Sequence, residues 1–211
     1  MIPLRGKDAA SVAAGIATLR TRVEGRGHSL GTIYCDGEGA VGAMADKLAR
    51  LGIRLETCGP GQHVPVAERR IRVLKERIRV HIHKLPYVMD PLLAGWCAVF
   101  CNHRLNMQYT AAHPDGPSPF ESFMGRKVNA KTDLRHAFGE YAQVVAPNTD
   151  NTMAARTRGC ILLAPTGNST GSSHMLHLAT GRVVAGDHYT ILPIPDVVID
   201  HLDARASRAG V

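Results

Sequence analysis

The sequence predicts an α/β domain, followed by a helical connector and a small β-barrel. Three observations lead there. From residue 8 to residue 84 the pattern runs helix, strand, turn, helix, strand, loop, long helix, which is an α/β order. The last of these helices sets Ile71, Leu74, Ile78 and Ile82 on one line, with Arg72, Lys75, Arg79 and His83 on the line beside it. After Gly139 the pattern changes to short β-like runs separated by Gly, Asn, Ser and Pro turns.

The first helix, residues 8–24, carries Val12, Ile16, Leu19 and Val23 at helical spacing and stops at Gly25-Arg26-Gly27. Residues 29–35 (SLGTIYC) read as a buried strand that delivers Asp36 to its end, where Gly37 and Gly39 allow the backbone to turn. A second helix then runs to Leu51 with Met44, Leu48 and Leu51 on its apolar side, and Gly52 caps it. Residues 53–57 form a short strand, and the Gly- and Pro-rich stretch 59–65 is a loop.

Leu85-Pro86 ends the long basic helix. Asp90-Pro91 starts the next one, with Asp as cap and Pro in the first turn, and Leu92, Leu93, Trp96, Val99 and Phe100 supply its packing face. Residues 108–119 form a loop, and residues 120–124 a short helical piece. The β-like runs are 141–145, 159–163, 174–178, 183–185 and 189–192, and the tail from 196 to 211 reads as a frayed helix.

Composition narrows the function. The chain of 211 residues has a hydrophobic fraction of 45%, ordinary for a folded protein, and a formal net charge of +7. Much of that excess lies between Arg69 and Lys84, which favours a polyanionic partner. Aromatic residues make up only 5%, too few for a surface that stacks unpaired bases. The cysteines, at positions 35, 58, 97, 101 and 160, include no Cys-x-x-Cys pair, and their odd number without a secretory leader reads as reduced thiols in an intracellular protein. Cys97, Cys101 and His103, with His81 and His83 nearby in sequence, make a partial zinc-ligand set, although helical spacing favours both cysteines as packing residues. No run approaches the length of a membrane span.

Several landmarks then occur in a familiar order. Tyr34-Cys35-Asp36-Gly37 is followed by Glu68-Arg69-Arg70 with Leu74 and Arg79, then by Leu85-Pro86, Trp96, Asn102 and Arg104. Next come Ser118-Pro119-Phe120-Glu121, Gly125-Arg126-Lys127 and the LRHAFG stretch from Leu134 to Gly139. In this succession the chain resembles the integrase region of Ty1/copia-type retrotransposon polyproteins, members of the retroviral integrase group. The resemblance implies a partial ribonuclease-H-like integrase core over residues 1–84, a helical connector over 85–138, an SH3-like β-barrel over 139–195 and a tail over 196–211.

It also implies a chemistry. In that family two Asp and one Glu hold the Mg²⁺ or Mn²⁺ ions that activate water or a DNA 3′-hydroxyl for DNA strand transfer, and the matching positions here are Asp36 and Glu68. They are separated by 31 residues, somewhat fewer than the family's usual interval. The family's first catalytic Asp has no counterpart ahead of Asp36, and its Gln-Asn-Gly run before the Glu is replaced by QHVPVAE. The expectation is an integrase fragment that binds DNA through Arg69, Arg72, Lys75 and Arg79 and is inactive alone, with assembly as a homo-oligomer carried over from the family. The alternative is a non-catalytic nucleic-acid-binding or scaffold protein in which Asp36 and Glu68 are structural.

Overall fold

The structure, a computed structural model, describes residues 2, 4, 6, 8–35, 42–57, 65–109, 115–145, 153 and 155–211. It is a mixed α/β chain that divides into two compact units, Met1–Val73 with Ser122–Gly125, and Leu74–Glu121 with Arg126–Val211.

In the first unit, helix α1 (Ala9–Glu24) begins at Asp8, whose carboxylate accepts the backbone N–H of Ser11 at 2.9 Å. Strand β1 (Thr32–Cys35) pairs in parallel with β2 (Arg54–Thr57), in the register Thr32 to Arg54 and Cys35 to Thr57. The short helix α2 (Ala45–Arg50) lies between them in sequence, and Gly52, at φ 72°, ends its last turn as the sequence predicts. Met44, Leu48 and Ile53 form the small core, closed by Val12, Ile16, Leu30, Ile33 and Leu55. Helix α3 (Pro65–Lys84) contributes to both units, its residues from Leu74 onward counting with the second.

The second unit is built on a sheet. Strands β3 (Tyr141–Val145), β4 (Thr157–Pro165), β5 (Ser173–His177), β6 (Val183–Gly186) and β7 (Tyr189–Ile191) form an antiparallel five-stranded sheet in the order β6-β5-β4-β3-β7. All five β-like runs of the sequence are strands, but the sheet is open, so the expected closed barrel is not formed. The reason lies in β4, which is nine residues long and buried on both faces. Ile161 and Leu163 join a large cluster with Leu93, Cys97, Phe100 and Cys101 of helix α4 (Pro91–Asn106), and with Val198 and Leu202 of helix α7 (Asp196–Arg208). Cys160 and Leu162 pack instead with Ala142, Met175 and Tyr189. The helices cover the Ile161 and Leu163 face of β4, so the sheet lies as an open layer against them instead of curling into a barrel.

The helices are fixed by local chemistry. Asp90 caps α4 by accepting the N–H of Leu93 at 2.7 Å, with Pro91 in the first turn, as the sequence predicts. The same carboxylate pairs with the guanidinium of Arg205 on α7, while Asp203 accepts the backbone N–H of Val88 at 2.7 Å. Together with buried Val198, Leu202 and Ala206, these bonds correct the reading of the tail as frayed: α7 is part of the core. Its apolar residues recur every four positions, a pattern that the polar residues around them obscure. Short helices α5 (Pro119–Met124) and α6 (Ala130–Asp133) complete the chain. Ser118 and Glu121 form a reciprocal capping box at α5, the Glu121 carboxylate accepting the Ser118 N–H at 2.8 Å and the Ser118 hydroxyl accepting the Glu121 N–H at 3.2 Å.

Three buried or half-buried histidines make the second unit sensitive to acid. Burial, with the Arg104 cation beside it, pushes the His103 pKa down to about 4; burial also lowers His136, against the hydrogen bond to the Ala137 carbonyl, and lowers His174. A histidine with a lowered folded-state pKa stabilises the fold fully above the unfolded value of about 6.5 and progressively less below it. Urea midpoints should therefore be flat from pH 8 to 7 and fall steadily from pH 6.5 to about 4, with His103→Gln flattening part of the slope.

Candidate nucleic-acid interface

Helix α3 carries the residues that the sequence singles out. Its inner side is apolar: Leu74 and Ile78 pack against the large core cluster of the second unit. Its outer side is charged, with Arg69, Arg72, Lys75 and Arg79 all exposed. Glu68 sits in the first turn and Lys84 in the last, so a carboxylate and an ammonium occupy the ends that the helix dipole favours. No residue of α3 is fully buried, and Val66, Ile71, Val80 and Ile82 are among the exposed apolar side chains.

The acidic pair is only half visible. Glu68 is exposed on α3, whereas Asp36, immediately after β1, lies outside the described residues. Among the described residues no group of three or more His, Cys, Asp or Glu side chains could hold a metal ion. The described part of the chain thus offers Mg²⁺ or Mn²⁺ a single carboxylate of the expected set, and no chemical step can be drawn through an ion there.

The zinc-like set does not assemble either. Cys97 and Cys101 are buried with their sulfurs 4.0 Å apart, in agreement with their reading as packing residues. His103 instead meets Phe120 edge to face at 5.6 Å, and its Nε2 finds no partner among the described residues. Helical geometry explains the separation, because residues 101 and 103 point to different sides of α4.

Most of the landmarks behind the family resemblance serve the core of the second unit. Arg104 donates to the carbonyls of Asp133 at 2.7 Å and His136 at 2.6 Å. Arg126 grips buried Asp133 with two bonds of 2.7 Å. Arg135 lies over the Tyr189 ring at 4.1 Å and donates to the Asp187 carbonyl, while His136 Nε2 meets the Ser173 hydroxyl at 2.8 Å. With Nδ1–H directed at the Ala137 carbonyl, that Nε2 is the acceptor for Ser173. Trp96, expected as a core anchor, is half-buried at the edge of the cluster, its ring 4.7 Å from that of His174.

No family model matches the sequence, and no curated protein is significantly similar to it. Among solved structures, it is similar to a chain in the cryo-electron-microscopy structure of the simian T-cell lymphotropic virus intasome in complex with the PP2A regulatory subunit B56 gamma. The TM-score is 0.42 and the identity 10%, over 90% of this chain and 66% of that one. A likeness of this size carries no argument about activity.

The polar cluster of Arg104, Arg126, Asp133, His136 and Ser173 was not legible as a cluster from sequence. Its members are scattered over 70 positions, and only the fold brings them together. Among the described residues no helix is long and apolar enough to cross a membrane.

Proposed function

We propose that the chain is an integrase-related nucleic-acid-binding protein whose α3 helix lies along the phosphate backbone of duplex DNA. The observation that carries this reading is the exposure of Arg69, Arg72, Lys75 and Arg79 on a helix whose opposite side is anchored by Leu74 and Ile78. Cations on a rigid element neutralise phosphates without ordering the backbone on binding, and the counterions they release make affinity fall with salt. The ordered landmarks from Tyr34 to Gly139 support the integrase relation.

Fluorescence anisotropy with a short duplex tests it. If four phosphates are neutralised, log K should fall with log[salt] with a slope of about −3 to −4, and Arg72→Ala with Lys75→Ala should reduce that slope by about 2. A slope left unchanged in the double variant would remove α3 from the contact.

Asp36 and Glu68 are proposed as metal carboxylates of a complete integrase site, with DNA held by this chain but not joined by it. Metal-dependent nicking or strand transfer that vanished in Glu68→Gln would show that the chain is itself an enzyme. The second reading, a scaffold without catalysis, draws support from the structural engagement of Arg104, Arg126, Arg135 and His136.

A further inference from the structure

The two margins of the five-stranded sheet are finished differently. In β7, bonds from the Val145 N–H to the His188 carbonyl and from the Leu192 N–H to the Tyr141 carbonyl turn His188 and Leu192 towards β3, which leaves Asp187 and Tyr189 facing outward. Their carbonyls are taken by the Arg135 guanidinium, at 2.6 and 3.3 Å. In β6, the His177 N–H bonds the Arg182 carbonyl at 2.9 Å, so in the register of Met175 with Val184 and Ser173 with Gly186 the ladder to β5 uses Arg182, Val184 and Gly186. The N–H and C=O groups of Val183 and Ala185 therefore point out of the sheet, and among the described residues no hydrogen bond reaches them.

The β6 margin also lacks the charges and prolines that usually blunt an edge strand. Residues 183–186 are Val-Val-Ala-Gly, with Val184 39% exposed and Ala185 exposed. An aromatic pair stands close by. Ala185 lies opposite His174 of β5, whose ring is 4.7 Å from that of half-buried Trp96. Val183 lies opposite Leu176 and packs with the same cluster as Trp96, so the two residues with outward backbone groups turn their side chains to the α4 side of the sheet. We propose that β6 binds an extended segment of a partner protein as a sixth, antiparallel strand.

The chemistry of that segment follows from the residues it meets. Exposed Arg182 stands at the start of β6 and Asp187 just past its end. An antiparallel segment runs from Asp187 towards Arg182. It carries a basic residue opposite Asp187, a large apolar residue opposite Ala185, a second apolar residue opposite Val183 and an acidic residue opposite Arg182. The small Ala185 methyl lets the large side chain lie across it towards the His174 and Trp96 rings. Main-chain bonds to Val183 and Ala185 supply affinity, and alternate side chains supply specificity. The end charges fix direction, because a parallel segment of the same sequence would set like charges together.

Trp96 is the single tryptophan of the chain, so its emission reports occupancy of this edge. The probe is the end-blocked peptide Lys-Thr-Phe-Thr-Val-Glu, titrated into the full chain. A saturable change in emission is expected, and exchanging the terminal Lys and Glu should weaken binding about tenfold. N-methylation of the Phe and Val amides, which face β6, should abolish binding, whereas N-methylation of both Thr amides, which face away, should leave it unchanged. These readouts need only the unmodified chain. Ala185→Pro, which removes an outward N–H without touching the ladder to β5, should abolish binding as well. The proposal is overturned if no saturable change occurs or if the two N-methylated peptides bind alike. It is also overturned if sedimentation shows the chain itself dimerising, with the dimer lost in Ala185→Pro, since the edge would then belong to a second copy.

Discussion

Gly139→Ala is expected to lower the stability of the second unit by about 2 to 5 kcal/mol, from left-handed backbone strain of about 1 to 2 and overpacking of about 1 to 3. Gly139 has φ 82°, and a methyl group there would stand 2.4 Å from Leu85 Cδ2 and 2.7 Å from the Tyr87 hydroxyl. Tyr87 is buried, and its hydroxyl donates to the Gly139 carbonyl at 3.0 Å, so the ring cannot retreat without giving up that bond. The melting temperature should drop by roughly 5 to 15 °C, at about 2 to 4 °C per kcal/mol. Gly167→Ala provides the control: its φ is 81°, but no atom lies within 4 Å of the added carbon. That variant should show only the backbone strain. Equal effects at the two glycines would mean that packing around Tyr87 contributes nothing.

Arg126→Ala should be of similar or greater severity. Asp133 is 2% exposed, receives both guanidinium bonds and accepts the Asn129 N–H at 2.8 Å. Removing the cation strands a buried carboxylate, which costs about 3 to 5 kcal/mol. Arg126→Lys should recover only part of this, because an ammonium cannot reproduce the two-pronged geometry. The pH dependence supplies a second check. Burial alone would raise the Asp133 pKa, but the bonds from Arg126 and Asn129 outweigh it and hold the carboxyl below its ordinary range. The resulting stabilisation is present above about pH 4 and fades as pH falls through the folded-state value. In denaturant melts, the gap between the native chain and Arg126→Ala should therefore be widest near neutral pH and narrow in acid.

Local chemistry made much of the fold readable. Asp8 and Asp90 are caps whose side chains accept the N–H three residues on, as their positions ahead of apolar-periodic runs suggest. The strands are legible because turn residues bracket each apolar run. Sheet closure was not legible. Whether β6 meets β7 depends on what covers β4, and that is decided by helices more than 30 positions away along the chain. The candidate site divides in the same way. The exposed cations follow directly from the helical period of α3, whereas the association of Asp36 with Glu68 depends on tertiary placement, and Asp36 lies outside the described residues. The landmarks on which the resemblance rests serve the fold: Arg104, Arg126 and His136 stabilise the second unit.

The most direct measurement is photo-crosslinking of the full chain to a duplex carrying photoreactive bases, followed by mass mapping of the linked peptides. The account predicts that crosslinks concentrate in peptides spanning residues 65–84 and disappear as salt is raised. Crosslinks falling instead on peptides around Arg158, Arg182 or Arg208, with residues 65–84 unmodified, would contradict it.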